Sequence, residues 1–235
     1  MQAIILAGGL GTRLRAAVPD LPKPMAPVAG RPFLAYVLDG LVEAGFERAV
    51  LAVGYRHEIV REHFGDRYRG LPLSYSIEPT PLGTGGAIRL AAQQIDTDPF
   101  FVINGDTYVE LDYPAMVAAH QHAHARITIG VCAVPDVARY GALELRGNTV
   151  CRFREKGSAG PGVINAGAYL LTAELLEHIP LGQPFSFEQQ LLAPRVEELR
   201  PLAFHAQGLF IDIGVPQDYE RAQYLLKRGT DTPAP

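Results

Sequence analysis

Apolar and polar positions along the first half of the chain switch between two periods. Met1–Leu6 is a short apolar run that ends in glycines, the mark of a buried strand. Arg31–Gly45 places Phe33, Val37, Leu38, Leu41 and Val42 at helical spacing and stops at Gly45, a favourable residue just past a helix end. Ala49–Val53 reads as a second buried strand, His57–Phe64 as a short helix and Leu71–Ile77 as a third strand. Thr84–Gln94 is predicted as a helix opened by glycines, Phe100–Ile103 as a fourth strand, Tyr113–His122 as a helix and Ile127–Val134 as a strand. This alternation of β and α predicts an α/β fold with three α/β/α layers and a mixed, mostly parallel central sheet.

From Gly141 the pattern changes. Ala142–Leu145, Val150–Phe153 and Val163–Leu171 are strand candidates joined by turns, which predicts an antiparallel addition. Helices are expected near Glu188–Leu199 and Gln217–Lys227. Residues 1–228 read as a single domain, and 229–235, polar and proline-rich, as a frayed tail. No internal repeat is evident, and no hexapeptide β-helix pattern follows.

Composition narrows the function classes. The 235 residues hold 21 Lys and Arg against 25 Asp and Glu, a net charge of −4. With no long basic run, nucleic acid is a poor partner, because phosphate contacts dominate its affinity. No apolar run approaches the ~20 residues of a membrane span, and no basic leader precedes Met1–Leu6. A cytoplasmic protein is the expectation. Cys132 and Cys151 lie in apolar strand candidates, so buried free thiols are expected rather than a disulfide or nucleophile. His120 and His124 share a helical face, but without a third ligand a solvated helix end is the simpler reading.

Three chemically loaded segments follow predicted strand ends: Gly8–Lys23, Glu78–Gly86 and Asn104–Asp106. In open α/β sheets ligands sit beyond the carboxyl ends of strands, so these segments should converge. Leu6-Ala7-Gly8-Gly9-Leu10-Gly11-Thr12-Arg13-Leu14 offers backbone N–H groups for an anion, and Arg13 adds a fixed positive fork. It is neither a Walker A loop nor a dinucleotide fingerprint. In Leu21-Pro22-Lys23-Pro24-Met25 two prolines stiffen the flanks of one lysine, which lowers the entropy lost on gripping phosphate. Taken alone, the glycines could be mere punctuation, Lys23 a solvated turn residue, and Asp106 a helix cap.

Together these segments resemble the signature of the sugar nucleotidyltransferases, which convert an NTP and a sugar 1-phosphate to an NDP-sugar and pyrophosphate. The resemblance continues through Glu78-Pro79-Thr80-Pro81-Leu82-Gly83-Thr84-Gly85, Asn104-Gly105-Asp106, Tyr140-Gly141, Glu155-Lys156, Asn165-Ala166-Gly167 and Phe210-Ile211-Asp212-Ile213-Gly214. It covers nearly the whole chain and implies a Rossmann-like, GT-A-like nucleotidyltransferase fold. It implies a nucleotide site on Leu6, Ala7, Gly8, Gly9, Gly11, Thr12, Arg13, Lys23, Glu78, Pro81, Gly83, Thr84, Asn104, Gly105 and Asp106, with the Gly8–Thr12 amides on the triphosphate. Arg13, Lys23 and Asp106 would be catalytic, with Lys23 near the α-phosphate. Asp106 and Asp212 would hold Mg²⁺, a hard ion that takes one or two protein carboxylates. Gly141, Glu155, Lys156, Asn165 and Asp212 would bind the sugar phosphate.

In this resemblance Glu78 faces the base. A carboxylate only accepts hydrogen bonds, and guanine presents N1–H and its 2-amino group side by side. GTP is therefore predicted over UTP, dTTP and ATP. Met1–Leu41 is most similar to the D-glycero-α-D-manno-heptose 1-phosphate guanylyltransferases, which serve bacterial surface polysaccharides. Mannose 1-phosphate guanylyltransferases and short uridylyltransferases are the competing enzyme readings. A regulatory nucleotide-sugar binder is the non-enzyme one, since a fold alone never fixes function. The sequence does not decide between a monomer and a homo-oligomer.

Overall fold

The computed structural model describes residues 1–9, 18, 21–154, 157 and 159–227. Arg13, with Gly11 and Thr12, lies outside the described residues, as do Glu155, Lys156 and the tail from Arg228.

The chain opens with β1 (Gln2–Leu6), then a small hairpin of β2 (Pro27–Val28) and β3 (Arg31–Pro32), and α1 (Phe33–Glu43). Next come β4 (Arg48–Val53), α2 (His57–Phe64), β5 (Arg67–Tyr68), β6 (Leu71–Ile77) and α3 (Gly83–Ala91). β7 (Phe100–Asn104), β8 (Thr107–Val109), α4 (Tyr113–His122) and β9 (Ile127–Val134) complete the alternating half. The second half holds β10 (Leu143–Arg146), β11 (Thr149–Phe153), β12 (Gly162–Leu171), α5 (Val196–Leu199), β13 (Leu202–His205), β14 (Phe210–Asp212) and α6 (Pro216–Leu225).

The main sheet runs β10-β11-β13-β9-β12-β7-β1-β4-β6-β5. Its middle, β7-β1-β4-β6, is parallel throughout. β12 runs antiparallel to both β7 and β9, whereas β13 is parallel to β9. Each strand feeds both faces, as the two-residue period requires. Ala3, Ile5, Leu51, Phe101 and Leu170 pack under α1, α2 and α4 on one face. Ile4, Val50, Val102, Tyr169 and Leu171 pack under α3 and the Phe187–Leu192 turn on the other. The three-layer α/β/α fold is the one the sequence predicts.

Several local expectations change. The single helix expected over Glu188–Leu199 is a π-helical turn, Phe187–Leu192, followed by the short α5. Pro194 lies in the break; it has no N–H to donate and its ring clashes with the preceding turn. The helix expected over Thr84–Gln94 is α3 plus a 3₁₀ turn at Ala92–Gln94. β8, β13 and β14 are too short to show a period of their own. His120 is not solvated: it is buried, and its Nδ1 lies 2.8 Å from the hydroxyl of buried Thr128. Among the described residues no group of three His, Cys, Asp or Glu could hold a metal ion. Both cysteines are free, Cys132 buried and Cys151 half-buried. No described helix is long and apolar enough to cross a membrane.

Candidate active site

The three predicted segments meet at the carboxyl ends of β1, β6 and β7. They line a cleft of about 810 Å³, within the usual range for small-molecule sites. Leu6, Ala7, Gly8 and Gly9 form one wall with Lys23; Glu78, Pro81, Gly83 and Thr84 form another; Asn104 and Asp106 close the floor. Gly105 is buried beneath it, its N–H bonded to the Leu6 carbonyl at 2.9 Å, joining β1 to the β7 end.

The stiff lysine loop is built as its prolines predict. Pro22 and Pro24 are buried, and Lys23–Met25 form one 3₁₀ turn closed by Met25 N–H to the Pro22 carbonyl at 2.8 Å. The chain that follows, β2–β3, is fastened by α6. Tyr219 donates to the Pro27 carbonyl at 2.6 Å, and Gln223 both donates to that carbonyl and accepts from Ala29 N–H. The C-terminal helix thus fixes the segment from which Lys23 reaches into the cleft.

Two carboxylates meet the Lys23 ammonium. Asp106 lies 2.5 Å away, at the end of β7, and Asp212 lies 3.5 Å away, at the end of β14. The two-stranded antiparallel sheet of β8 and β14, far apart in the chain, sets them side by side, with Thr107 paired to Asp212. Burial pushes the Asp212 carboxyl above its ordinary range; Lys23 pulls it down, Asp106 pushes it further up, and the Gly214 N–H, 2.7 Å away, pulls it down again. The pair therefore concentrates negative charge that a cation relieves, and Lys23 marks where a cation is favoured.

Gly8 and Glu78 are in direct contact across the cleft. A Cβ on Gly8 would lie 2.5 Å from Glu78 Oε1, so only glycine lets the carboxylate sit there. The other oxygen, Oε2, accepts the Leu82 N–H at 2.8 Å, which fixes the side chain. Burial raises the Glu78 carboxyl above its ordinary range, against the pull of that N–H.

Gly141, Asn165 and Asp212 are not among the residues lining this cleft, although Asp212 reaches Lys23, which is. Gly141 sits in a turn at φ +81°, bonded to the Val137 carbonyl. Asn165 stands in β12, whose pairing with β9 breaks between Asn165 and Tyr169. Gly54 and Tyr55 line the cleft without having been singled out in the sequence. They follow the end of β4, so the strand-end rule applied to Ala49–Val53 would have found them.

A cleft at the strand ends that pairs a glycine turn with a lysine held between two aspartates defines a nucleotidyltransferase. The family model for nucleotidyl transferases matches residues 2–229, and the chain belongs to this family. It is 41% identical to the D-glycero-alpha-D-manno-heptose 1-phosphate guanylyltransferase of Aneurinibacillus thermoaerophilus, over 97% of this chain and 99% of that one. The enzyme of the same name from Campylobacter jejuni is 39% identical, over 93% and 97%. Among solved structures, HddC from Yersinia pseudotuberculosis complexed with GMP-PN superposes with a TM-score of 0.83 at 38% identity, covering 94% of this chain and 97% of that one.

Proposed function

We propose that this enzyme transfers GMP from GTP to D-glycero-α-D-manno-heptose 1-phosphate, forming a GDP-sugar for bacterial surface polysaccharide and releasing pyrophosphate. The observation that carries the reaction class is the cleft-lining Lys23 ammonium held between Asp106 and Asp212. Nearly full-length similarity to two heptose 1-phosphate guanylyltransferases supports the substrate pair. A GDP-sugar made from GTP is cytoplasmic chemistry, so the protein is read as cytoplasmic.

The reaction brings two anions together. An oxygen of the sugar phosphate attacks the α-phosphorus of GTP in line, and pyrophosphate leaves. Positioning and charge neutralisation then supply most of the catalysis. The Gly8 and Gly9 backbone would meet the triphosphate, joined by Gly11, Thr12 and Arg13. Lys23 would offset the charge that builds on the α-phosphoryl oxygens. Glu155, Lys156, Asn165 and Gly141 would hold the sugar phosphate.

Asp106 and Asp212 fit Mg²⁺: two hard carboxylates already converge on a cation. Bound there by Asp106 and Asp212, the ion would supply positive charge against the charge developing on the phosphates.

Glu78 is assigned to the guanine edge. Its Oε2 is held by Leu82, which leaves Oε1 and the remaining lone pairs to accept from N1–H and the 2-amino group. Glu78→Gln should raise the KM for GTP roughly tenfold, the cost of losing a charged hydrogen bond, with the other NTPs little changed. The raised carboxyl adds a pH signature. As pH falls, Glu78 takes up its proton before ordinary exposed carboxylates do, so GTP binding should weaken on the acid side in wild type. The Gln variant has nothing to titrate there and should lack that step; a parallel acid limb in both would remove Glu78 from base recognition.

Gly8→Ala tests the same contact from the other side. The new methyl must displace Glu78 Oε1 or the backbone of Gly54, 3.3 Å away at its amide. We expect the KM for GTP to rise about tenfold while the KM for the sugar phosphate holds, as a misplaced charged partner would cost. Unaltered GTP kinetics would mean that the carboxylate position does not matter.

The deciding experiment is a matrix of GTP, UTP, dTTP and ATP against α-heptose, mannose and N-acetylmuramic acid 1-phosphates, read by pyrophosphate release. Preference for a pyrimidine nucleotide would sink the GTP reading. Preference for mannose 1-phosphate would move the sugar assignment, and no release from any pair would favour a regulatory binder.

A further inference from the structure

We infer that Glu188 is a positioning residue for the sugar half of the site, acting through the side chain of Asn165. The inference takes from the proposed function that a sugar 1-phosphate binds beside the nucleotide and that Asn165 helps to hold it.

The local geometry begins with a bulge. β12 pairs Asn165 with Val131 and Tyr169 with Ile129, so four steps on one strand face two on the other. Bulges of this kind bend a strand and re-aim its side chains, often beside active sites. Gly167, inside the bulge, has φ +72°, and a Cβ there would lie 2.5 Å from the Asn104 side-chain nitrogen. The bulge therefore presses against a residue that lines the cleft.

Within it the Asn165 amide is fully directed. Its Oδ1 accepts the Gly167 N–H at 3.0 Å; its Nδ2 donates to the Tyr169 hydroxyl at 2.6 Å and to Glu188 Oε2 at 2.9 Å. A primary amide has two N–H groups, and both are used. Asn165 can offer a ligand only the spare lone pair of Oδ1, in an orientation that Glu188 helps to fix.

Glu188 is itself tied to the nucleotide wall. Phe187 N–H donates to the Thr84 hydroxyl at 2.9 Å, and Gly85 N–H donates to the Phe185 carbonyl at 2.8 Å. The Ser186 hydroxyl accepts the Gln189 N–H at 3.2 Å and caps the turn. Glu188 thus spans from the base-side loop to the bulge. Among the described residues its carboxylate has no cationic partner and no hydrogen bond besides that from Asn165. The nearly fully buried Tyr169 hydroxyl, which burial keeps protonated, donates to none of them. The spare lone pair of Asn165 Oδ1, oriented in this way, suits the hydroxyl of a bound sugar.

The test is steady-state kinetics of Glu188→Ala and Glu188→Gln, using the sugar 1-phosphate and NTP that wild type accepts. In the Ala variant the KM for the sugar phosphate should rise roughly tenfold, as expected for a lost charged hydrogen bond. The KM for the nucleotide should stay within about twofold. The Gln variant keeps an acceptor without the charge and should show a smaller rise, about threefold. If the Ala variant does not fold, the Gln variant carries the test. Equal changes in both KM values, or an unchanged sugar KM, would overturn the inference and leave Glu188 a structural tie. If wild type rejects GTP or heptose 1-phosphate, the proposed function fails. The Glu188 comparison is then still read on the pair that wild type does use.

Discussion

Lys23→Ala should lower kcat by about a thousandfold while the protein remains folded, which is what removal of one preorganised charge from a reacting centre typically costs. Lys23 is the cation that meets both Asp106 and Asp212, at 2.5 and 3.5 Å, on a side chain only 13% exposed. Partial burial strengthens what that charge does to a developing anion, because water screens it less. The loop is held by buried Pro22 and Pro24 and, one hairpin later, by α6, so the lysine is aimed before substrate arrives. Removing it takes away the positive charge and also leaves two carboxylates facing each other. Both effects oppose the approach of a second phosphate. Single-turnover measurement of nucleotidyl transfer would locate the loss in the chemical step. A variant within tenfold of wild type would take Lys23 out of that step.

Asp106→Asn and Asp212→Asn should each lower kcat roughly a hundredfold and move activity to higher Mg²⁺. Asparagine keeps the shape and an acceptor oxygen but no charge, so each variant halves the negative charge offered to the ion. Asp106 makes the shorter ion pair to Lys23, 2.5 Å against 3.5 Å for Asp212, so its variant loosens the ammonium more and should be the worse of the two. A Mg²⁺ titration of activity at saturating substrates measures both effects. Unshifted Mg²⁺ dependence in both variants would mean that the two carboxylates serve only to hold Lys23.

Much of this site could be read from the sequence because its parts sit at the ends of strands that are buried on both faces. Strands such as Ala49–Val53 and Phe100–Ile103 are continuous apolar runs, so their ends, and the polar residues just beyond, stand out. That is why Gly8, Glu78 and Asp106 could be expected to converge. Tyr55 was overlooked although the same rule covers it, since a lone aromatic beside a glycine carries no motif. Glu188 was hidden for a different reason. Its place depends on a bulge in β12 and a break at Pro194, and a helical period over Glu188–Leu199 reads as one amphipathic helix. His120 reads as solvated because it and His124 stand among polar residues at the helix end. Its buried partner, Thr128, lies on the next strand, and only packing reveals that pairing.

The antiparallel insertion of β12 between β7 and β9 divides labour in the fold. Residues assigned to the nucleotide hang from the parallel strands β1, β6 and β7, whereas Asn165 and its neighbours hang from a strand that runs the other way. A changed bulge or a changed π-turn would therefore move Asn165 without disturbing the register of the parallel strands β7, β1, β4 and β6. The seam between the two strand systems is Asn104 against Gly167, where a side chain on the bulge would collide with the end of β7.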